Sequence, residues 1–450
     1  MLYRKIESTI YRHLSNDSDK ILVVTGARQI GKSYIIRHVA EKLFKNVIEI
    51  NLIEDYEGDR LFEKITNIEE FYLNLSAIAG DRMGNRKDTL VFLDEIQQYP
   101  HLFTLLKFLR ADNRFAYAAS GSMLGIALRT TTSIPLGSIN IVKMYPLDFE
   151  EFLIANGVGH NVIREMEVYF NARQSLEPAL HKKILDLFKR YLLTGGLPDA
   201  VNAYIETRNL VKIREIQRDI HTLYAIDASK YDEEHRLRIS RIYEMIPSNM
   251  ENKKKRLVYK DIEGKSGKRA SDYMEEIDYL SASGIALEVK AVSNPSFPLV
   301  ESGQKNLLKL YLNDVGLMTG LLYRNNIRPI LDDECSINLG AVYECVAATE
   351  LAAHNHSLYY YDNKSKGEVD YLVDDFTTLE ALPIEIKSGK DYTVHSALNK
   401  LLATPEYNIG NGYVFSNARE VTIKGDVTYL PIYNIMFLNG NGSDETEILI

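Results

Sequence analysis

Cysteine is almost missing from this chain of 450 residues: there are two, Cys335 and Cys345, ten positions apart and without CxxC spacing. That excludes a disulfide framework, and because the ten histidines are scattered with none at ligand spacing, it argues against a zinc site as well. Both thiols are expected to be buried. Long apolar runs are also lacking, and the opening MLYRKIESTIYRHL is charged throughout where a signal peptide would be continuously apolar. A cytoplasmic protein with no membrane partner is expected. Internal repeats, low-complexity tracts and long Pro/Ser linkers are absent from the sequence too. Positive charge is in deficit, 53 Lys and Arg against 62 Asp and Glu for a net charge of −9, so the molecule as a whole repels a polyanion. Any DNA contact must come from a local patch, and residues 251–270, with eight basic and three acidic side chains, are the candidate.

The remaining composition, 45% hydrophobic and 26% charged, is that of a globular protein long enough for several domains. Short β-branched runs alternate with helical patterns over the first 150 residues, at 21–26, 46–52, 89–95, 115–121 and 139–147, which predicts a parallel sheet flanked by helices. Helical spacing dominates from about 150 to 235. Short helices and a two-stranded candidate, 284–292 with 307–314, then suggest a winged helix. Beyond Asn325 a helix, GAVYECVAATELAAH, precedes the strands YYYD, GEVDYLVDD, LPIEIKSG and GYVFSN, a separate α/β domain. The tyrosine run 359–361 is better explained by a half-buried strand than by base stacking.

Residues 26–33 read Gly-Ala-Arg-Gln-Ile-Gly-Lys-Ser, a complete G-x-x-x-x-G-K-[ST] pattern between the apolar ILVVT and the helical YIIRHVAEKL. Gly26 and Gly31 permit the turns that aim backbone N–H groups inward, and the helix that follows adds its positive dipole end. The loop Gly26, Ala27, Arg28, Gln29, Ile30, Gly31, Lys32, Ser33 with Tyr34 is therefore the expected ATP site. Lys32 would reach the β/γ-phosphates and Ser33 would bind Mg²⁺. A second magnesium partner should end a neighbouring buried strand, and Leu90–Glu95 (LVFLDE) fits. Asp94 would hold the metal through water, Glu95 would orient and polarise the attacking water, and Ser120, closing FAYAAS, would bond the γ-phosphate or the lytic water. The acid pair favours hydrolysis. Arg110 and Arg129 are candidates for an arginine, from a neighbouring subunit or the helical lid, that stabilises transition-state charge.

A second constellation lies near the C-terminus. Asp370 stands in one strand candidate and Glu385-Ile386-Lys387 in the next, a D…E-x-K arrangement in which period-two alternation puts Glu385 and Lys387 on one face. Two carboxylates can chelate Mg²⁺ or Mn²⁺, which activates water while Lys387 stabilises charge on a phosphodiester.

Taken together, GARQIGKS, FLDEIQQYP, SGS at 120–122, YPLDFEEFL at 145–153, YLLTGGLPDAV at 191–201 and KLYLNDVGLMTGLL at 309–322 resemble the bacterial and archaeal AAA+ ATPases that carry domain of unknown function 4143. The resemblance covers nearly the whole chain. It implies an α/β fold with a P-loop AAA+ core at 1–155, a helical lid at 156–235, a winged helix at 236–325 and a restriction-endonuclease-like PD-(D/E)XK domain at 326–450. It also implies Glu344, on the helix before the strands, as a third metal-site carboxylate, with Glu350 as the fallback. Ser138, after Pro-Leu-Gly at 135–137, replaces a residue that is basic in many relatives. Two functions follow as expectations: an ATPase that gates DNA binding or cleavage, and an ATP-dependent switch whose C-terminal module only binds a protein partner; a homo-oligomer is an expected assembly.

Overall fold

The structure is a computed structural model that describes all residues except 17, 123–136, 229–232, 253–254, 332–338, 390 and 441–450. Arg129 and Cys335 lie outside the described residues. The chain divides into two compact units, one of residues 3–145 with 282–285 and one of residues 1–2, 146–281 and 286–450.

In the first unit α1 (Ile6–Ser15) leads into β1 (Ile21–Thr25), and α2 (Lys32–Leu43), β2 (Asn46–Asn51), α3 (Leu52–Glu57), α4 (Ile68–Ala79), β3 (Thr89–Asp94), α5 (His101–Asp112), β4 (Ala116–Gly121) and β5 (Ile139–Lys143) follow. All five strands are parallel, in the order β2-β3-β4-β1-β5. TLVFLD of β3 is buried at every position, the continuous apolar run of a strand covered on both faces. Val23, Ile48, Val91, Phe71 and Leu106 belong to one core cluster beside the sheet. The strand order determines the site. β4 separates β1 from β3, so the loop after β1, Ser120 at the end of β4 and Asp94 at the end of β3 fall side by side at the carboxyl edge, where open α/β sheets bind ligands.

The second unit begins with α6 (Phe149–Ala155), α7 (His160–Asn171), α8 (Pro178–Thr194), α9 (Pro198–Thr207), α10 (Leu210–Ala228) and α11 (Glu233–Glu251). Asp148 and Glu151 form a reciprocal capping box at the start of α6. Next come α12 (Tyr259–Glu263), α13 (Met274–Ala282), the hairpin β6 (Ala286–Val292) and β7 (Gly303–Leu312), α14 (Val315–Tyr323) and α15 (Arg328–Leu331). The C-terminal part contains α16 (Gly340–Ala353), β8 (Tyr359–Asn363), β9 (Gly367–Asp375), β10 (Glu380–Ile386), α17 (Ser396–Leu402), β11 (Gly412–Ser416), β12 (Thr422–Lys424) and β13 (Val427–Pro431). These strands form one mixed sheet ordered β12-β13-β11-β10-β9-β8-β6-β7. The hairpin expected to belong to a winged helix extends that sheet through parallel pairing of β6 with β8, Lys290 opposite Tyr359, so the sheet runs across the expected boundary at 325/326.

Three sequence motifs of the resemblance meet in this unit. Leu147 N–H donates to Gly196 O at 2.7 Å, so closely that a Cβ on Gly196 would stand 1.9 Å from Leu147 O. Asp314, fully buried, accepts from Gly196 N–H at 2.6 Å and from Leu317 N–H at 2.9 Å, capping α14. Arg214 donates to Leu193 O and Gly316 O across the same contact. These residue runs therefore act here as a packing clasp. Cys345 is a buried free thiol on α16. Among the described residues no helix is long and apolar enough to cross a membrane.

Candidate functional site

The loop after β1 takes backbone shapes that its sequence permits. Gly26 (φ 147°) and Gly31 (φ 91°) are in the positive-φ region, and a Cβ on Gly26 would collide with Met144 O at 2.2 Å. Gln29 shares the left-handed region at φ 61°. Arg4, which sequence reasoning missed, is buried and donates to Ile30 O at 3.0 Å and Tyr145 O at 2.6 Å, bracing the loop from behind. Gly284, also missed, lies against the loop's first peptide with φ 76°; a Cβ there would be 3.1 Å from Ala27 N. Only their contacts reveal these two residues.

Lys32 is buried and leans on the loop itself, Nζ donating to Gly26 O at 3.1 Å and Ala27 O at 2.8 Å. Ser33 Oγ donates to Asp94 Oδ2 at 2.7 Å, and Ser120 Oγ donates to Asp94 Oδ1. Expected magnesium ligands and sensor thus converge on one carboxylate. Burial pushes the Asp94 carboxyl up, against the two serine hydrogen bonds. Such a carboxylate gains from a nearby cation. The set suits Mg²⁺, which takes one or two protein oxygens and completes its shell with phosphate and water.

Glu95 follows in the left-handed region, φ 55° and ψ 47°, an unusual backbone for a glutamate. Gln97 Nε2 donates to its Oε2 at 2.5 Å and Ser122 Oγ approaches the same oxygen at 3.3 Å. Arg28 of the loop reaches Ser122 Oγ through Nε at 3.5 Å. Gln97 was not singled out in the sequence, where its position two residues after Glu95 was the only hint. Tyr34 is exposed and stacks on His38, its ring centroid 6.2 Å away. Arg110 is elsewhere: it donates to Asp19 O, just before β1, and so sits at the opposite end of the strands from the loop. Arg110 therefore stands apart from its own chain's phosphate loop. Ser138 is buried, and its carbonyl accepts from Ile21 N–H at 2.9 Å.

The C-terminal carboxylates do come together, with partners the sequence reading left out. Glu344 is buried on α16; Oε1 accepts from Lys255, and Oε2 accepts from Tyr311 OH at 2.9 Å with Lys309 Nζ 3.9 Å away. Lys309, wholly buried on β7, pairs with Glu368 at 2.7 Å and lies 4.6 Å from the Tyr360 ring centre. Asp370 Oδ2 accepts from Ile386 N–H at 2.8 Å, and Glu385 Oε1 accepts from Lys387 Nζ at 2.6 Å. Burial, then the charges of Glu344 and Glu385, push the Asp370 carboxyl well above its ordinary range. Burial works against the charge of Glu344 as well, but Lys309 and Lys255 outweigh it and hold that carboxyl below its usual value. Burial also raises Glu385, which Lys387 partly offsets. Glu350 turns elsewhere and accepts from Phe149 N–H at 2.8 Å. Among the described residues no three His, Cys, Asp or Glu side chains are gathered as a metal cage.

Part of the basic segment is engaged within the chain. Lys255 faces Glu344, while Arg256 pairs with Asp362 at 2.7 Å and Glu368 at 3.0 Å. Lys268 lies 3.6 Å from Glu263. Lys260, Lys265 and Arg269 remain exposed.

Comparisons with known proteins find three family models along the chain and several similar solved structures. Residues 18–153 match the family model of the AAA domain, residues 185–327 a domain of unknown function (DUF8612), and residues 339–435 another (DUF4143). Among solved structures, the Walker-type ATPase PABY2304 of Pyrococcus abyssi is 14% identical, covering 72% of this chain and 96% of its own, with a TM-score of 0.45. The Thermotoga maritima RuvB Holliday junction branch migration motor is 11% identical over 68% of this chain and 92% of its own, TM-score 0.29. The S. cerevisiae Hsp104–ADP complex is 13% identical over 63% and 38%, TM-score 0.29. No curated protein matches the sequence.

Proposed function

We propose that this chain, which carries an AAA-type P-loop domain and a DUF4143 domain, binds ATP with Mg²⁺ on residues 26–34 and hydrolyses it. The observation that carries the reading is the convergence of Ser33 and Ser120 on the buried Asp94 beside a loop whose lysine is already inside it. In this reading the amides of the loop and the first turn of α2 receive the phosphates, and Lys32 exchanges two neutral carbonyls for β/γ-phosphate oxygens. Ser33 and Asp94 would hold the magnesium ion, which when bound neutralises charge on the transferring phosphoryl group. Glu95 orients the attacking water and takes its proton as the water oxygen bonds to the γ-phosphorus and the β–γ bridge breaks. Ser120, between the two strands, would report the γ-phosphate to Asp94.

The reading of an ATP-dependent switch is favoured over a DNA-cleaving machine by one observation: Lys255 and Arg256 of the basic segment are spent on Glu344, Asp362 and Glu368 and are not offered to a phosphate backbone. Because Arg110 points away from its own loop, an arginine from a second copy is the expected source of further charge stabilisation. The test is Glu95→Gln, followed by fluorescent-ATP binding and phosphate release. Binding retained with hydrolysis reduced roughly 100-fold supports the assignment; hydrolysis at the parent rate overturns it.

A further inference from the structure

We infer that the C-terminal acid cluster is locked by built-in cations: Lys309 and Lys255 supply the positive charge a divalent metal would bring, so the nuclease-like centre is a structural joint and not a cleavage site. A metal of the Mg²⁺ or Mn²⁺ class needs carboxylate oxygens that can turn toward it. Here both oxygens of Glu344 are committed, to Lys255 and to Tyr311 OH. One oxygen of Asp370 is held by Ile386 N–H and one of Glu385 by Lys387. No cage of three acid, histidine or cysteine side chains forms among the described residues.

Lys309 is what makes the arrangement permanent. A flexible surface lysine could swing aside for an ion, but Lys309 has no exposure, and β7 pairing with β6, Lys309 opposite Val289, fixes its backbone. Its ammonium is between Glu368 and Glu344, so a divalent ion bound to Glu344 would face a like charge in a poorly screened interior. Lys255 closes the other side of Glu344 with only 19% of its side chain exposed. Arg256, its neighbour, extends the pairing to Asp362 of β8 and Glu368 of β9. The network therefore fastens three stretches distant in sequence: the segment at 255–256, the β6–β7 hairpin, and the α16–β9 part of the C-terminal domain. A module joined this way keeps its acid cluster shut.

Two measurements on the full chain without nucleotide test this. The first follows Mn²⁺ by electron paramagnetic resonance in the wild type and in Asp370→Asn, with nicking of circular DNA assayed alongside. Superimposable Mn²⁺ titrations and no nicking are expected. A bound Mn²⁺ that disappears in Asp370→Asn, or Mn²⁺-dependent nicking that disappears in Lys387→Ala, would overturn the inference. The second compares melting temperatures of Lys255→Met, Glu344→Gln and the double variant; the partly exposed Lys255 is chosen so that the protein still folds. Each single change should lower the melting temperature by several degrees, and the double variant should lose less than the sum. Strict additivity would mean that the two groups are not coupled, and would overturn it equally.

Discussion

Asp94, at the carboxyl end of β3, and Glu344, on α16, are both buried carboxylates, yet their surroundings are opposite in kind. Asp94 faces two hydroxyls, and the nearby Lys32 rests on neutral carbonyls from which it can move. Glu344 faces two ammonium groups, one of them wholly buried. Hydroxyls satisfy a carboxylate's hydrogen bonds without cancelling its charge, so Asp94 is left with an unmet need for a cation. Ammonium groups do both, and Glu344 is left with none. Counting acids in a sequence cannot separate these cases, because what differs is the chemistry brought alongside by distant parts of the chain.

The sharpest way to break the comparison is to neutralise each acid in turn. Asp94→Asn should lower ATP hydrolysis roughly 10²–10³-fold while stability stays level or rises, since a desolvated charge is removed. Glu344→Gln should leave hydrolysis within about twofold but destabilise the fold by about 3–5 kcal/mol, because Lys309 and Lys255 lose a partner in a buried network. Phosphate release and urea unfolding on the same samples read both effects. If Glu344→Gln were as stable as the parent, the two sites would not differ in the way described.

Local features of the first unit were legible in the sequence. Four of its five strands lie within one or two residues of the runs that announced them: β1 and β3, covered on both faces, show as unbroken apolar sequence, and β2, at the edge, as alternation. The fifth stops at Lys143, four residues before the expected end. β9 occupies the whole of GEVDYLVDD. What remained hidden was pairing at long range. Periodicity tells which face of β6 is buried but not that β8, more than sixty residues on, lies beside it. For the same reason Lys255 and Lys309 read as ordinary basic residues. β12 and β13 were not singled out, nor was α1, whose neighbour Arg4 braces the phosphate loop.

A smaller effect probes a third buried acid, Asp314, which has backbone amides where Glu344 has lysines. Burial pushes its carboxyl up to about 6, against the hydrogen bonds from Gly196 and Leu317. Its folded pKa lies above the ordinary 3.8, so the native state holds the extra proton between those values. The stabilising contribution is therefore full below the unfolded pKa and is lost as pH rises through about 6. Relative to Asp314→Asn, the wild type should gain about 1–3 kcal/mol between pH 7 and pH 4, measured by urea unfolding at each pH. An unchanging difference would mean that the amides alone keep Asp314 ionised.

The smallest expected change concerns how Glu95 is aimed. Its left-handed backbone directs the side chain, and Gln97 and Ser122 hold one carboxylate oxygen. Gln97→Ala removes a hydrogen bond to a charged group, worth about 1 kcal/mol or somewhat more, so kcat should fall roughly 3- to 10-fold. KM for ATP should be unchanged, because Gln97 acts on the base and not on the phosphate loop. Steady-state kinetics separate the two constants, and a parallel melting curve tests for a merely structural role. A rise in KM at constant kcat would place Gln97 with the nucleotide-binding residues and leave Glu95 oriented by its backbone alone.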